Sequence, residues 1–170
     1  SLVAAFFKVI KPNVVIHNLS ELFLYGGLAA IFVETLNIFS VSILIILIAL
    51  YDMYAVWKSK HIIKLATFQS DLKILSGLLI PYYEKKREKI AMLGGGDIGF
   101  PLLFAGAVMK DLMLANPEFI SFLKTLIIPV FVTLALLYLL LKGEKDKFYP
   151  AMPYLAVGCV VGYLFVFLVS

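Results

Sequence analysis

The sequence predicts an all-α, polytopic transmembrane helix bundle, and three observations carry that prediction. The chain is 62% hydrophobic and only 15% charged, whereas soluble domains are roughly 45–50% apolar and about 25% charged. Its apolar residues fall in runs of about 20, the length that crosses ~30 Å of hydrocarbon. Its basic residues gather in alternate connections between those runs, as they do in proteins whose cytoplasmic loops are positive.

Three spans follow directly from hydropathy: residues 36–57, 119–141 and 149–169. Residues 13–33 make a further span, apolar from Leu22 onward but polar in its first turns at His17, Asn18, Ser20 and Glu21. Glu34, Thr35 and Asn37 separate it from the next span. Residues 90–112 make the fifth, rich in glycine and holding Asp97. Five crossings place thirteen of the fifteen Lys and Arg on one side, leaving Lys110 and Lys124 for the other. Loops 58–89 and 142–148 are therefore expected to be cytoplasmic, with Tyr51, Tyr54 and Trp57 forming an aromatic belt. Within the longer loop, residues 61–80 read as an amphipathic interfacial helix. The run Glu84–Lys89 reads as a solvated loop. The chain is expected to form one transmembrane domain over 1–170, part of a longer protein.

Several function classes lose ground on composition. One cysteine, Cys159, excludes an intrachain disulfide. The two histidines, His17 and His61, lie far apart without an HExxH pattern, which argues against a zinc site. The net charge of +4 collects in membrane-flanking loops, so no nucleic-acid partner is expected. No GxSx motif lies within a span to support serine chemistry.

The acids are more informative. Most lie in loops or at span ends, but Asp52 and Asp97 do not. Asp52 lies five residues before Trp57, roughly 8 Å inside the boundary, and Asp97 lies seven residues after Ile90, roughly 10 Å inside from the same face. An intramembrane carboxylate costs at least ~2.5–3.5 kcal/mol, so two at matched depth need a reason. Position alone leaves three open: a structural hydrogen-bonded pair, a proton or ion pathway, or a shared-proton dyad for catalysis. In a dyad, two adjacent carboxylates do not both ionise easily, so one serves as acid and the other as base.

Sequence context narrows the choice. Asp97 follows Gly94-Gly95-Gly96, and glycines so dense weaken a helix by about 1 kcal/mol each. They also let another backbone approach, and a peptide must be extended before its amide is attacked. Close helix packing explains Gly106 and the Gly158-to-Gly162 spacing well, but explains less well three glycines abutting an acid. Pro150-Ala151-Met152-Pro153 then opens the last span irregularly, with carbonyls expected to be free, and irregular backbone at membrane depth is tolerated where it lines a wet cavity.

Tyr51-Asp52, Gly94-Gly95-Gly96-Asp97 and Pro150-Ala151-Met152-Pro153 together resemble the YD, GxGD and PAL motifs of the presenilin and signal peptide peptidase family. The stretch His17–Gly27 is also similar to the fifth span of signal peptide peptidases and their archaeal relatives. Met152 departs from the leucine of PAL. The resemblance covers nearly the whole chain, as spans five to nine of a nine-span architecture, which leaves missing N-terminal spans or a homo-oligomer as the expected partners. It implies an intramembrane aspartyl protease, with Asp52 and Asp97 catalytic and Tyr51, Gly94, Gly96, Pro150, Ala151, Met152 and Pro153 binding substrate. The implied substrate is a single transmembrane helix or a signal peptide, in the lipid bilayer, and the chemistry needs neither metal nor other cofactor. The 45 residues between the two acids leave little room for a long cleavage loop, so autocatalytic maturation is not expected. Two rivals stand beside this reading. One is the prepilin peptidase group, which also uses a GxGD aspartate. The other is a transporter or ion-leak channel using the same acids as a proton relay.

Overall fold

Hydropathy and turn residues account for most of the architecture. The computed structural model describes residues 14–56, 77–84, 87–142 and 149–169. Helix α1 spans Val14–Thr35 and α2 spans Ile38–Tyr54. Two strands follow, β1 (Gly77–Glu84) and β2 (Arg87–Gly94), and then α3 (Gly95–Leu112). Helices α4 (Glu118–Thr125) and α5 (Ile127–Lys142) are separated by Leu126 alone and count as one 25-residue rod. Helix α6 spans Met152–Val169. The interruption at Leu126 has a local cause. Pro129 has no N–H to donate to the Thr125 carbonyl four residues earlier, and its ring crowds that carbonyl.

The five rods alternate in direction. Asn37 caps α2, its Oδ1 accepting from the Ser40 N–H at 2.8 Å, so the chain turns back directly after α1. Lys110, in the last turn of α3, donates to the Val33 and Glu34 carbonyls of α1 at 3.0 and 2.7 Å. The end of α1 and the end of α3 therefore share one end of the bundle. The end of α2, the hairpin and the starts of α3 and α6 share the other. Val14–Thr35 and Glu118–Lys142 are long and apolar enough to cross a membrane, and Ile38–Tyr54 and Met152–Leu168 are shorter apolar helices. Helix α3 carries Asp97, Lys110 and Asp111, which mask it in hydropathy.

Each inward face is a helical stripe. Val41, Ile45 and Ala49 are buried on α2, Phe104, Ala105 and Val108 on α3, and Leu155, Cys159 and Val166 on α6. Large apolar side chains such as Phe23, Phe39 and Phe167 are exposed on outer faces, as a lipid-facing surface requires. Helices α5 and α6 approach closely at Gly158 and Gly162. A Cβ on Gly162 would lie 2.9 Å from the Ile128 Cα, and one on Gly158 would lie 3.0 Å from the Val132 Cα.

The hairpin corrects three expectations. Residues 77–80 are strand, not the end of an interfacial helix, and 61–76 lie outside the described residues, as does Trp57. Glu84 and Arg87–Lys89 belong to paired strands, not to a loop, and Lys85 and Lys86 lie outside the described residues. The helix expected over 90–112 begins at Gly95, because 90–94 pair as β2. The antiparallel register runs from Gly77↔Gly94 to Glu84↔Arg87. Pro81 and Gly94 both disfavour helix here. The two short apolar runs pair with each other, and periodicity cannot assign such runs by itself.

Candidate active site

Asp52 sits in the last turn of α2, one helical turn beyond buried Ala49, on the stripe that faces the bundle. Tyr51, about 100° away around the same helix, is 69% exposed on the outer side. Tyr54 is exposed as well.

Asp97 sits in the first turn of α3. The glycines before it explain how. Gly94 is the N-cap, with no side chain to cap the helix, and the Asp97 carboxylate folds back over it. A Cβ on Gly94 would lie 3.2 Å from Asp97 Oδ2. Gly95 faces Tyr25, a buried residue of α1 whose hydroxyl occupies the place a Gly95 side chain would need. A Cβ on Gly96 would meet the Met152 side-chain methyl at an ordinary 3.6 Å. One turn on, Pro101 has no N–H for the Asp97 carbonyl, which loosens the start of the helix around the acid.

Pro150 and Ala151 precede α6, and Met152 is its first residue. The Met152 N–H donates to Asp52 Oδ2 at 3.1 Å, and the Ala151 N–H points at the same carboxylate. The start of α6 therefore meets a hydrogen-bond-accepting carboxylate where helix N–H groups have no intrahelical partner. The Ala151 carbonyl, expected to be free, accepts from the Tyr154 and Leu155 amides at 3.1 and 3.2 Å. Met152 is buried with Ala49 and Leu155 in a small apolar cluster beneath the acids. Its backbone holds Asp52 and its side chain reaches Gly96, so it bridges the two acid-bearing elements.

Beside this site an apolar cleft of about 420 Å³ opens between α1 and α3, lined by Tyr25, Phe32, Gly95, Gly96 and Phe100 among others. Across the hairpin, α1 reaches the outer edge of β1. Asn18 Nδ2 donates to the Leu79 carbonyl at 2.7 Å, and the Leu79 N–H donates to Asn18 Oδ1 at 2.8 Å. His17 Nε2 lies 3.0 Å from the Gly77 carbonyl. Tyr25, Gly95, His17 and Asn18 had not stood out as site residues in the sequence. Their signals were polar and small residues where a span should be apolar, with His17, Asn18 and Tyr25 inside the stretch His17–Gly27 that carries part of the family resemblance and Gly95 inside the glycine run before Asp97.

The family model for signal-peptide peptidase, presenilin aspartyl protease, matches residues 1–170. The chain belongs to this family. At the level of the signal-peptide peptidase and presenilin family it is an aspartyl protease embedded in the membrane, and the family acts on transmembrane substrates. No curated protein and no solved structure matches the chain. Among the described residues no group of three or more His, Cys, Asp or Glu is arranged to hold a metal ion.

Proposed function

We propose that this chain is a GxGD-type intramembrane endopeptidase that hydrolyses single transmembrane helices or signal peptides with Asp52 and Asp97. The observation that carries the reading is the convergence of both acids at one end of the bundle, joined through Met152. A water held between the carboxylates loses its proton to one of them and attacks the scissile carbonyl carbon. The other carboxyl donates its proton to the carbonyl oxygen, and the tetrahedral intermediate then collapses with protonation of the leaving amine. The five helices are read as spans five to nine of the family, with loops 58–89 and 142–148 on the cytoplasmic side.

The substrate must be extended to be cut, and β2 offers a template. Both Leu79 backbone groups are used by Asn18, so alternate residues of β1 from Gly77 point away from β2. The register then turns the N–H and C=O of Met92 and Gly94 toward the far edge of β2. Among the described residues no strand pairs with that edge. A peptide added there would run its backbone past Gly94 toward Asp97, by the strand-addition mode of recognition. Gly96 and the segment Pro150–Pro153 would line the opposite side, while exposed Tyr51 would meet a substrate only as it arrives from the lipid.

The test is cleavage of a model transmembrane peptide in liposomes. Asp52→Asn and Asp97→Asn are each expected to lower turnover by at least ~10²–10⁴-fold, and a transition-state aspartyl inhibitor to silence the wild type. Cleavage by both variants at the wild-type rate would sink the reading. Ion flux that persists with the inhibitor bound would favour a proton-relay channel.

A further inference from the structure

The side chains that meet the outer edge of β1 have no part in the chemistry just described. Lipid-exposed sheet edges do not occur in the hydrocarbon region, because their N–H and C=O groups find no water there; at membrane depth such backbone is buried in protein or lines a wet cavity. On β1 that edge is met by α1 at Gly77 and Leu79. The Asn18 amide matches both the donor and the acceptor of Leu79, as a neighbouring strand would. His17 meets the Gly77 carbonyl. A carbonyl only accepts, so His17 Nε2 carries the proton. These contacts join residues 60 and 61 positions apart.

Their consequence reaches the acid. Gly77 pairs with Gly94 across the hairpin, and a side chain on Gly77 would strike the Leu93 carbonyl, so this base of the hairpin is close-packed. Gly94 in turn lies under the Asp97 carboxylate. Seven residues along α1 from Asn18, about 10 Å, the Tyr25 hydroxyl abuts Gly95. Helix α1 thus touches the segment from Leu79 to Gly95 at both ends.

We propose that His17 and Asn18 are positioning residues of the protease: by occupying the outer edge of β1 they set the hairpin on α1, align β2 with Asp97 and thereby select the bond that is cut. The inference rests on the hydrolytic reading above. Neither residue touches the reacting atoms. Their removal therefore changes where and how fast the substrate is cut, not whether the dyad exists.

The experiment uses the full chain in liposomes with a model transmembrane peptide, and reads product masses, kcat and KM separately. It also measures binding of a transition-state aspartyl inhibitor and amide exchange at Leu79. Asn18→Ala is expected to lower kcat about tenfold, to spread cleavage over neighbouring bonds, and to speed exchange at Leu79 while inhibitor binding persists. His17→Leu is expected to spread the products too, and His17→Gln, which keeps a donor, to restore the single product. If Asn18→Ala cuts the same single bond with unchanged kcat, the proposal is overturned. The same holds if His17→Leu and His17→Gln give identical products. Should Asn18→Ala lose inhibitor binding, the histidine pair alone decides. If the wild type cuts nothing, the hydrolytic reading fails and the positioning role fails with it. Exchange at Leu79 then reports separately on whether the Asn18 contact forms.

Discussion

The three glycines before Asp97 are not equivalent. Gly94 leaves room for the acid's own carboxylate, Gly95 leaves room for the Tyr25 hydroxyl, and Gly96 sits at ordinary contact distance from Met152. Gly94→Ala is therefore expected to displace the Asp97 carboxylate and lower kcat by ~10-fold or more, since small misplacements of reacting groups are costly. Gly96→Ala should fit with a smaller loss. Comparing their kcat values with that of the wild type, alongside equal thermal stability, checks the ranking. Equal losses from both would mean that a substrate backbone, not the carboxylate, requires these glycines. Much of this site was legible in the residues: Asp52 and Asp97 stand out as acids in apolar surroundings, and Met152 falls in an irregular helix start. That the Met152 N–H serves Asp52 was not legible, because the two are 100 residues apart.

At the level of elements, the helices follow from apolar runs and the hairpin does not. Periodicity reports each segment's own burial, whereas strand pairing depends on a second segment. For the helix pairs, the glycines make a sharp contrast. Gly162→Ala would drive a Cβ against the Ile128 backbone, and is expected to destabilise the α5–α6 pair by about 1–3 kcal/mol, as overpacking does. At Gly26 nothing lies within 4 Å of an added Cβ, so Gly26→Ala is expected to be neutral or stabilising by up to ~1 kcal/mol. Thermal unfolding in one detergent compares the two. A loss at Gly26 as large as that at Gly162 would show that the α1 surface is covered.

For the whole molecule, the two ends of the bundle have different tasks. One end gathers the acids, the hairpin and the start of α6. The far end ties α1 to α3 through Lys110, whose ammonium meets the last carbonyls of α1, where positive charge is favoured. Lys110→Met is expected to lower stability by about 0.5–1 kcal/mol, the modest value of an exposed contact, and to leave the cleavage position unchanged. Unfolding midpoints and product masses check both parts. A shifted product would show that the far end controls the site.

Local chemistry determined a great deal here. Apolar runs longer than any small soluble core could hide require a lipid environment, and helical spacing puts Asp52 in line with Val41, Ile45 and Ala49. What chain folding alone decided are the meetings between distant segments: Asn18 with Leu79, Gly77 with Gly94, Asp52 with Met152. The physical reason is that a backbone N–H or C=O carries no mark in the sequence of the partner it will find. In an apolar medium such a group must nonetheless find one, and only the closed fold says which.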